Sequence, residues 1–211
     1  MLIIGAKGFA KEVLEILHQN GQTENLCFYD DVNDDLPGKL FGQFPILRTI
    51  EEAKTYFKQT SNQFVLGIGN PFLRKKLCDK FESIGGELST VISKNAEIGS
   101  FGIEISSGCN ILSGVKISND VAIGKGTMAY YNSVITHDVT IGEFCEISPS
   151  VNILGRVRIG NFVRIGAGSI IFPDVTIGDK VVIAAGAVVR KNVPANVMVA
   201  GIPAVVKKEI M

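Results

Sequence analysis

Only two histidines are present in 211 residues, so imidazole chemistry has few places to act. One of them, His137, is followed directly by Asp138 inside Val134-Ile135-Thr136-His137-Asp138-Val139-Thr140-Ile141-Gly142. A neutral imidazole is the usual general base near neutral pH, and a carboxylate beside it can hold the tautomer or raise its basicity. His18 is read differently: it sits one step beyond the apolar stripe Ala10, Val13, Leu14 and Leu17, as an exposed helix-end residue. The four cysteines (27, 78, 109, 145) show no CxxC or other ligand spacing and read as reduced thiols, Cys109 and Cys145 as core residues. No metal site is expected. Three further segments suit an anion or a sugar. Gly5-Ala6-Lys7-Gly8 offers backbone N–H groups before a helix, Asp30-Asp31 offers acceptors for a ribose or a base edge, and Gly67-Ile68-Gly69-Asn70 ends a strand.

The element that carries His137 is a repeat. Stepping by six from residue 105 to residue 189, thirteen of fifteen positions are Ile, with Ala129 and Val189 as the exceptions. A second column, two residues earlier in each hexad, holds small or β-branched residues such as Cys109, Val115, Thr127, Ser133, Val139 and Cys145. Residues two apart on a strand share a face, so each hexad is a short strand with two inward residues. A period of six does not fit a helix. The reading is a parallel β-solenoid, with the chain turning after each Ile, where the residue is often Gly (124, 142, 160, 166, 178). In that register His137, two residues past the inward Ile135, points outward at a corner.

The first ninety residues lack the repeat. Strand signals at Leu2–Ile4, Leu26–Tyr29 and Phe64–Ile68 alternate with helix signals at Gly8–Gln19, Ile50–Lys58 and Phe72–Ile84. That order predicts a small Rossmann-like parallel sheet of βαβ units over residues 1–88. Gly85-Gly86 is read as the hinge to a second domain, 89–211, with a C-terminal tail from about 193. The Gly-rich turn, the Asp pair and the Gly69 segment then fall at the carboxyl ends of the strands, where such sheets bind nucleotides. So short a domain supplies only half of a dinucleotide-dehydrogenase sheet.

The hexad columns resemble the hexapeptide-repeat acyltransferases. The whole chain is similar to the sugar O-/N-acyltransferases of the sialic acid O-acetyltransferase type, which include bacterial enzymes acetylating UDP-linked 4-amino sugars. The features that carry this are Ile4-Gly5-Ala6-Lys7-Gly8, Asp30-Asp31, Gly67-Ile68-Gly69-Asn70, His137-Asp138, and the ending Asn192-Val193-Pro194 with Gly201-Ile202-Pro203-Ala204. The resemblance implies a left-handed β-helix of triangular section with 18 residues per coil. It implies acetyl-CoA as co-substrate, a nucleotide-sugar acceptor and a homotrimer. It makes His137 the general base, tuned by Asp138. It places Ala6, Lys7, Gly8, Asp30, Asp31 and Gly69 against the nucleotide-sugar, and Gly155, Ala167 and Ala185 along the CoA channel. The Gly201–Ala204 segment would close over the CoA tail. Gly155 would occupy the corner of His137 one coil later. Two departures stand out. The family often has a second His contacting acetyl-CoA where this chain has Glu146, and Lys7 replaces a small residue in the Gly-rich turn.

Composition narrows the classes. Lys+Arg and Asp+Glu are both 21, so the basic surplus of a nucleic-acid binder is missing. Mean hydropathy is +0.28, yet the longest apolar run is Val181 to Val189, far short of the roughly 20 residues of a spanning helix. No signal peptide is apparent at Met1-Leu2-Ile3-Ile4-Gly5, and a cytoplasmic protein without membrane insertion is expected. A γ-type carbonic anhydrase needs a three-His zinc site that a single β-helix histidine does not supply. Serine- or maltose-type acetyltransferases lack the small α/β domain. A sugar O-acetyltransferase and a non-catalytic nucleotide-sugar-binding protein stay open, as does N- against O-acetylation.

Overall fold

The computed structural model describes residues 1–210 and divides into two units, Met1–Lys94 and the chain from Asn95 onward. In the first unit the order is β1 (Leu2–Ile4), α1 (Gly8–Gln19), β2 (Cys27–Tyr29), β3 (Lys39–Leu40), β4 (Phe44–Leu47), α2 (Ile50–Gln59), β5 (Gln63–Leu66), α3 (Pro71–Glu82) and β6 (Glu87–Leu88). They form one sheet in the order β3-β4-β2-β1-β5-β6, parallel except for the β3–β4 hairpin. The chain leaves β1 toward β2 on one side and leaves β5 toward β6 on the other. The point where direction reverses lies between β1 and β5, the usual place for a ligand crevice in an open α/β sheet.

Local chemistry sets these elements. α1 buries Phe9, Ala10, Val13, Leu14, Ile16 and Leu17, the three-to-four spacing of one helical stripe. α2 begins with a capping box: Thr49 accepts from the Glu52 amide, and the Glu52 carboxylate accepts from the Thr49 amide. α3 begins with Asn70 accepting from the Leu73 amide and with Pro71 in its first turn, where a missing N–H costs nothing. Gly85-Gly86 is not a hinge. It returns the chain into edge strand β6, and a Cβ on Gly86 would lie 2.7 Å from Phe57 and 2.8 Å from Phe64, so packing demands glycine there. The hairpin and β6 were not foreseen; all are strands of four residues or fewer, too short for periodicity to register.

The second unit is a three-sided parallel β-helix. From Ile103 to Val189 each strand pairs with those 18 residues away, as in Ile117↔Ile135, Ile135↔Ile153 and Ile153↔Ile171; the spacing is 19 at Ile98↔Ile117 and 16 at Ile183↔Val199. The first face carries Lys116–Ile117, Val134–Ile135, Asn152–Ile153, Ile170–Ile171 and Val188–Val189. The second carries Val121–Ile123, Thr140–Ile141, Arg158–Ile159 and Thr176–Ile177; the third carries Met128–Ala129, Glu146–Ile147, Arg164–Ile165 and Val182–Ile183. From 109 to 189 both inward columns are buried, and each isoleucine contributes roughly 1.5–3 kcal/mol by leaving water. Several polar members of the smaller column have partners along the axis: Cys109 Sγ donates to the Gly124 carbonyl (3.3 Å), Thr127 Oγ1 to Gly142 (2.8 Å) and Cys145 Sγ to Gly160 (3.0 Å), whereas the buried Ser133 hydroxyl has none among the described residues.

The reason for the glycines differs from the expected one. The left-handed turn falls two residues later, at Gly126, Phe144, Phe162, Gly168 and Lys180, with φ between 51° and 68°. Gly124, Gly142, Gly160, Gly166 and Gly178 instead sit where successive coils touch; a Cβ on Gly142 would lie 2.6 Å from the Gly160 backbone. The chain beyond Val193 keeps winding, with Val193 bridging Ile177 and Val197–Gly201 pairing with Val182–Ile183. It then folds back as the antiparallel strand Ala204–Glu209.

Candidate active site

At the corner after Val134–Ile135, the residue that must adopt the left-handed turn is Asp138 (φ 59°), a conformation that Asp tolerates better than most. That turn brings Asp138 Oδ2 to 2.6 Å from His137 Nδ1. With Nδ1–H donating to the carboxylate, Nε2 is the nitrogen left with a lone pair. The His137 side chain is 54% exposed, so its free edge faces outward. Its ring lies over Gly155, one coil on: the Arg156 amide donates to the His137 carbonyl (3.0 Å), and a Cβ on Gly155 would be 2.6 Å from Cε1 and 2.7 Å from Nε2 of the ring. Glycine is therefore what lets the imidazole rest against the next coil.

His137 also borders a groove of about 500 Å³ along the first face, lined by Glu97, Lys116, Ser118, Val134 and Thr136 among others. Within it Lys116 Nζ is 2.6 Å from the Glu97 carboxylate. Gly155 flanks this face at the His137 corner, and Ala167 and Ala185 flank its opposite edge, where the Gly186 amide donates to the Ala167 carbonyl (2.8 Å). Both alanines are exposed. Glu146 lies elsewhere, half-buried on the third face, in register with Arg164. A single chain does not bring it to His137. The Gly201–Ala204 turn joins the last two strands, and Arg190, Lys191, Pro203, Ala204 and Val205 line a separate hollow of about 290 Å³.

The first unit has its own crevice, of about 180 Å³, at the carboxyl ends of β1, β2 and β5. Its walls are largely apolar, from Ile4, Ile68, Leu73, Leu77 and Val32, with Asp30 and Asp31 on one side. Gly5 has φ +100° and donates to the Tyr29 carbonyl (2.8 Å). Asp30 is buried, and its carboxylate accepts from the amides of Ala6, Val32 and Asn33 and from Asn33 Nδ2. Its charge is thus spent on shaping the Gly-rich turn. Lys7 caps α1 with extended backbone and extends its ammonium to Asp35 at 3.1 Å; Gly8 opens the helix. Gly69 has open space around it, and its carbonyl accepts from the buried Arg74, which fixes the loop after β5. Arg48 similarly donates to the carbonyls of Asp30, Asn33 and Leu36. The sequence reading missed both arginines, because a loop staple has no spacing of its own.

Asp31, unlike Asp30, is at the rim. Tyr29 Oη donates to its Oδ2 at 2.8 Å and Lys80 Nζ to the same oxygen at 3.1 Å. Burial works against ionisation of Asp31, but the hydroxyl and the ammonium outweigh it and hold the carboxyl below the ordinary aspartate range. Burial, then the bond to Asp31, pushes the Tyr29 hydroxyl up.

Residues 1–81 match the PglD N-terminal domain family, and residues 156–191 match the bacterial transferase hexapeptide family of six repeats. WeeI from Acinetobacter baumannii AYE is 30% identical, with 98% of each chain covered and a TM-score of 0.86. The chain belongs to the hexapeptide-repeat sugar acyltransferases. Its fold is the left-handed β-helix of that family behind a PglD-type α/β domain. Perosamine N-acetyltransferase from Caulobacter crescentus, solved as a His→Asn variant with CoA and GDP-perosamine, is 29% identical. The match covers 99% of this chain and 96% of that one, at TM-score 0.90. The acetyltransferase domain of PglB from Neisseria gonorrhoeae FA1090, solved with acetyl coenzyme A, is 25% identical over 98% of each chain, at TM-score 0.86. Among the described residues no helix is long and apolar enough to cross a membrane.

Proposed function

We propose that this acyltransferase moves an acetyl group from acetyl-CoA to an amine of a nucleotide-linked sugar, with His137 as general base. The observation that carries the reading is the His137 corner: an outward imidazole, its Nδ1 on Asp138 and its ring against Gly155, at the head of a groove. The similar perosamine enzyme holds CoA and GDP-perosamine, which supports acetyl-CoA as donor and a nucleotide-sugar as acceptor.

In the step itself the acceptor nitrogen attacks the thioester carbonyl. The C–N bond forms, His137 Nε2 takes the amine proton, and the C–S bond breaks as the CoA thiolate leaves and is protonated. Asp138 holds the imidazole in the tautomer that leaves Nε2 free and stabilises the imidazolium. General-base assistance contributes roughly 10²–10⁴-fold. The Gly155 amide is a candidate donor for the developing oxyanion, since the flanking Leu154 and Arg156 amides already donate to the Ile171 and His137 carbonyls. Gly155, Ala167 and Ala185 line the CoA path. Ala6, Lys7, Gly8, Asp31 and Gly69 hold the nucleotide-sugar, with Asp30 shaping their loop. Glu146 stands on the third face, away from the His137 corner of the same chain, and a homotrimer would set that face of one copy against the His137 corner of the next; we place that trimer in the cytoplasm.

The test is thiol release from acetyl-CoA with a panel of amino-sugar nucleotides and free sialic acids, wild type beside His137→Ala. Turnover with an amino-sugar nucleotide, lost about a hundredfold or more in the variant, is expected. Turnover only on a free sialic acid hydroxyl would replace the acceptor. Binding of nucleotide-sugar without turnover would replace the enzyme by a binding protein, and a monomer by light scattering would undercut the shared site.

A further inference from the structure

At the rim of the first unit's crevice, Asp31 is held by two side chains, Tyr29 and Lys80, that have no part in the mechanism above. Tyr29, Asp31 and Lys80 come from the end of β2, the loop after it, and α3. Lys80 Nζ contacts Asp31 Oδ2 (3.1 Å) and Tyr29 Oη (3.3 Å), and lies 5.3 Å from the Tyr29 ring centre. Asp31 and Lys80 are each 37% exposed at the side chain, so neither is locked away from a ligand.

Both protein donors converge on one carboxylate oxygen. An ionised carboxylate has about four lone-pair sites, two per oxygen. Tyr29 and Lys80 fill those of Oδ2, and Oδ1 is the oxygen left to accept from a ligand. Beside it the crevice wall is apolar, with Ile4, Ile68, Leu73 and Leu77, a surface suited to the face of a planar base. A guanine edge presents two adjacent N–H donors that want both oxygens of one carboxylate. A uracil or thymine edge presents a single imide N–H.

Resting on the reading of this crevice as the nucleotide site, we infer that Tyr29 and Lys80 make Asp31 a one-oxygen acceptor that selects uracil or thymine nucleotides over guanine nucleotides. Tyr29 and Lys80 are positioning residues; Asp31 is the group that touches the base. Lys80 has a second role as counter-charge. Burial opposes its protonated form, but Asp31 and Tyr29 outweigh that and raise its pKa, so the ammonium stays in place across the neutral range.

The experiment is calorimetric titration of the full-length protein with UDP, dTDP and GDP, for wild type, Tyr29→Phe/Lys80→Met and Lys80→Arg, with melting curves to confirm folding. UDP or dTDP is expected to bind wild type about tenfold or more tightly than GDP, the scale of one charge-assisted hydrogen bond. The double variant should lose most of that preference by freeing Oδ2, and Lys80→Arg should keep it. GDP binding as tight as UDP in wild type overturns the base selection while leaving the crevice a nucleotide site. A preference unchanged in a folded double variant overturns the role of the clamp. Failure of all three nucleotides to bind overturns this inference and the nucleotide-sugar reading together.

Discussion

A single methyl group at Gly155 is the sharpest probe of the catalytic corner. In Gly155→Ala the new Cβ would begin 2.6 Å from His137 Cε1 and 2.7 Å from Nε2. An ordinary carbon contact is about 3.5–4.0 Å, so the ring must retreat by about 1 Å. It has room to do so, since its side chain is half exposed and swings into solvent at little cost in stability. The retreat breaks the 2.6 Å contact with Asp138 and moves Nε2 away from the coil that it rests on. A misplacement of that size costs about 10²-fold in rate. Stopped assays of CoA thiol release, with kcat and KM resolved for both substrates, should show kcat falling by that factor. The melting temperature should stay within a few degrees of wild type. A folded variant that retains more than about half of wild-type kcat refutes the assignment of this corner as the reacting centre.

Other perturbations separate scaffold from chemistry. Gly142→Ala puts a Cβ 2.6 Å from the Gly160 backbone, which cannot step aside, so thermal unfolding should show a loss of about 1–3 kcal/mol. Cys145→Ala removes the Sγ bond to the Gly160 carbonyl; it should lower stability by about 1 kcal/mol and leave kcat unchanged, and total loss of activity in a folded variant would make the thiol a participant. Glu52 is held below the ordinary glutamate value of 4.5 by accepting from the Arg48 and Thr49 amides. Its contribution is therefore present above that value and lost as the pH falls through the lowered one. Glu52→Gln should accordingly flatten the acid limb of a plot of melting temperature against pH.

How much was legible follows from where each signal lives. The β-helix was readable because a burial pattern of period six is written in the residues themselves, from Ile105 to Val189. His137 was readable because its register fixes the direction of its side chain. The roles of the two aspartates were not. Asp30 and Asp31 are equal as letters, yet one is buried under four N–H donors and the other shares an oxygen with Tyr29 and Lys80, 49 residues away. Glu146 was placed beside the acyl site by resemblance, whereas its strand belongs to a different face from that of His137. The glycines at 124, 142, 160, 166 and 178 were rightly singled out for the wrong reason, since a tight turn and a close contact ask for the same residue.

The 18-residue pairing has a consequence for how such a chain can change length. Inserting one residue inside a strand between 105 and 189 reverses inside and outside from there on unless a corner absorbs it, as the turn between Ile98 and Ile103 absorbs the extra residue of the 19-residue pairing Ile98↔Ile117. Inserting six keeps the core but rotates all later corners by a third of a turn, so a histidine downstream would move to another edge. Only a whole coil, about 4.8 Å of added height, preserves both packing and the edge on which each side chain stands. The molecule can therefore lengthen its groove in discrete steps, and its reach toward a longer ligand is set by counting coils rather than by reshaping loops.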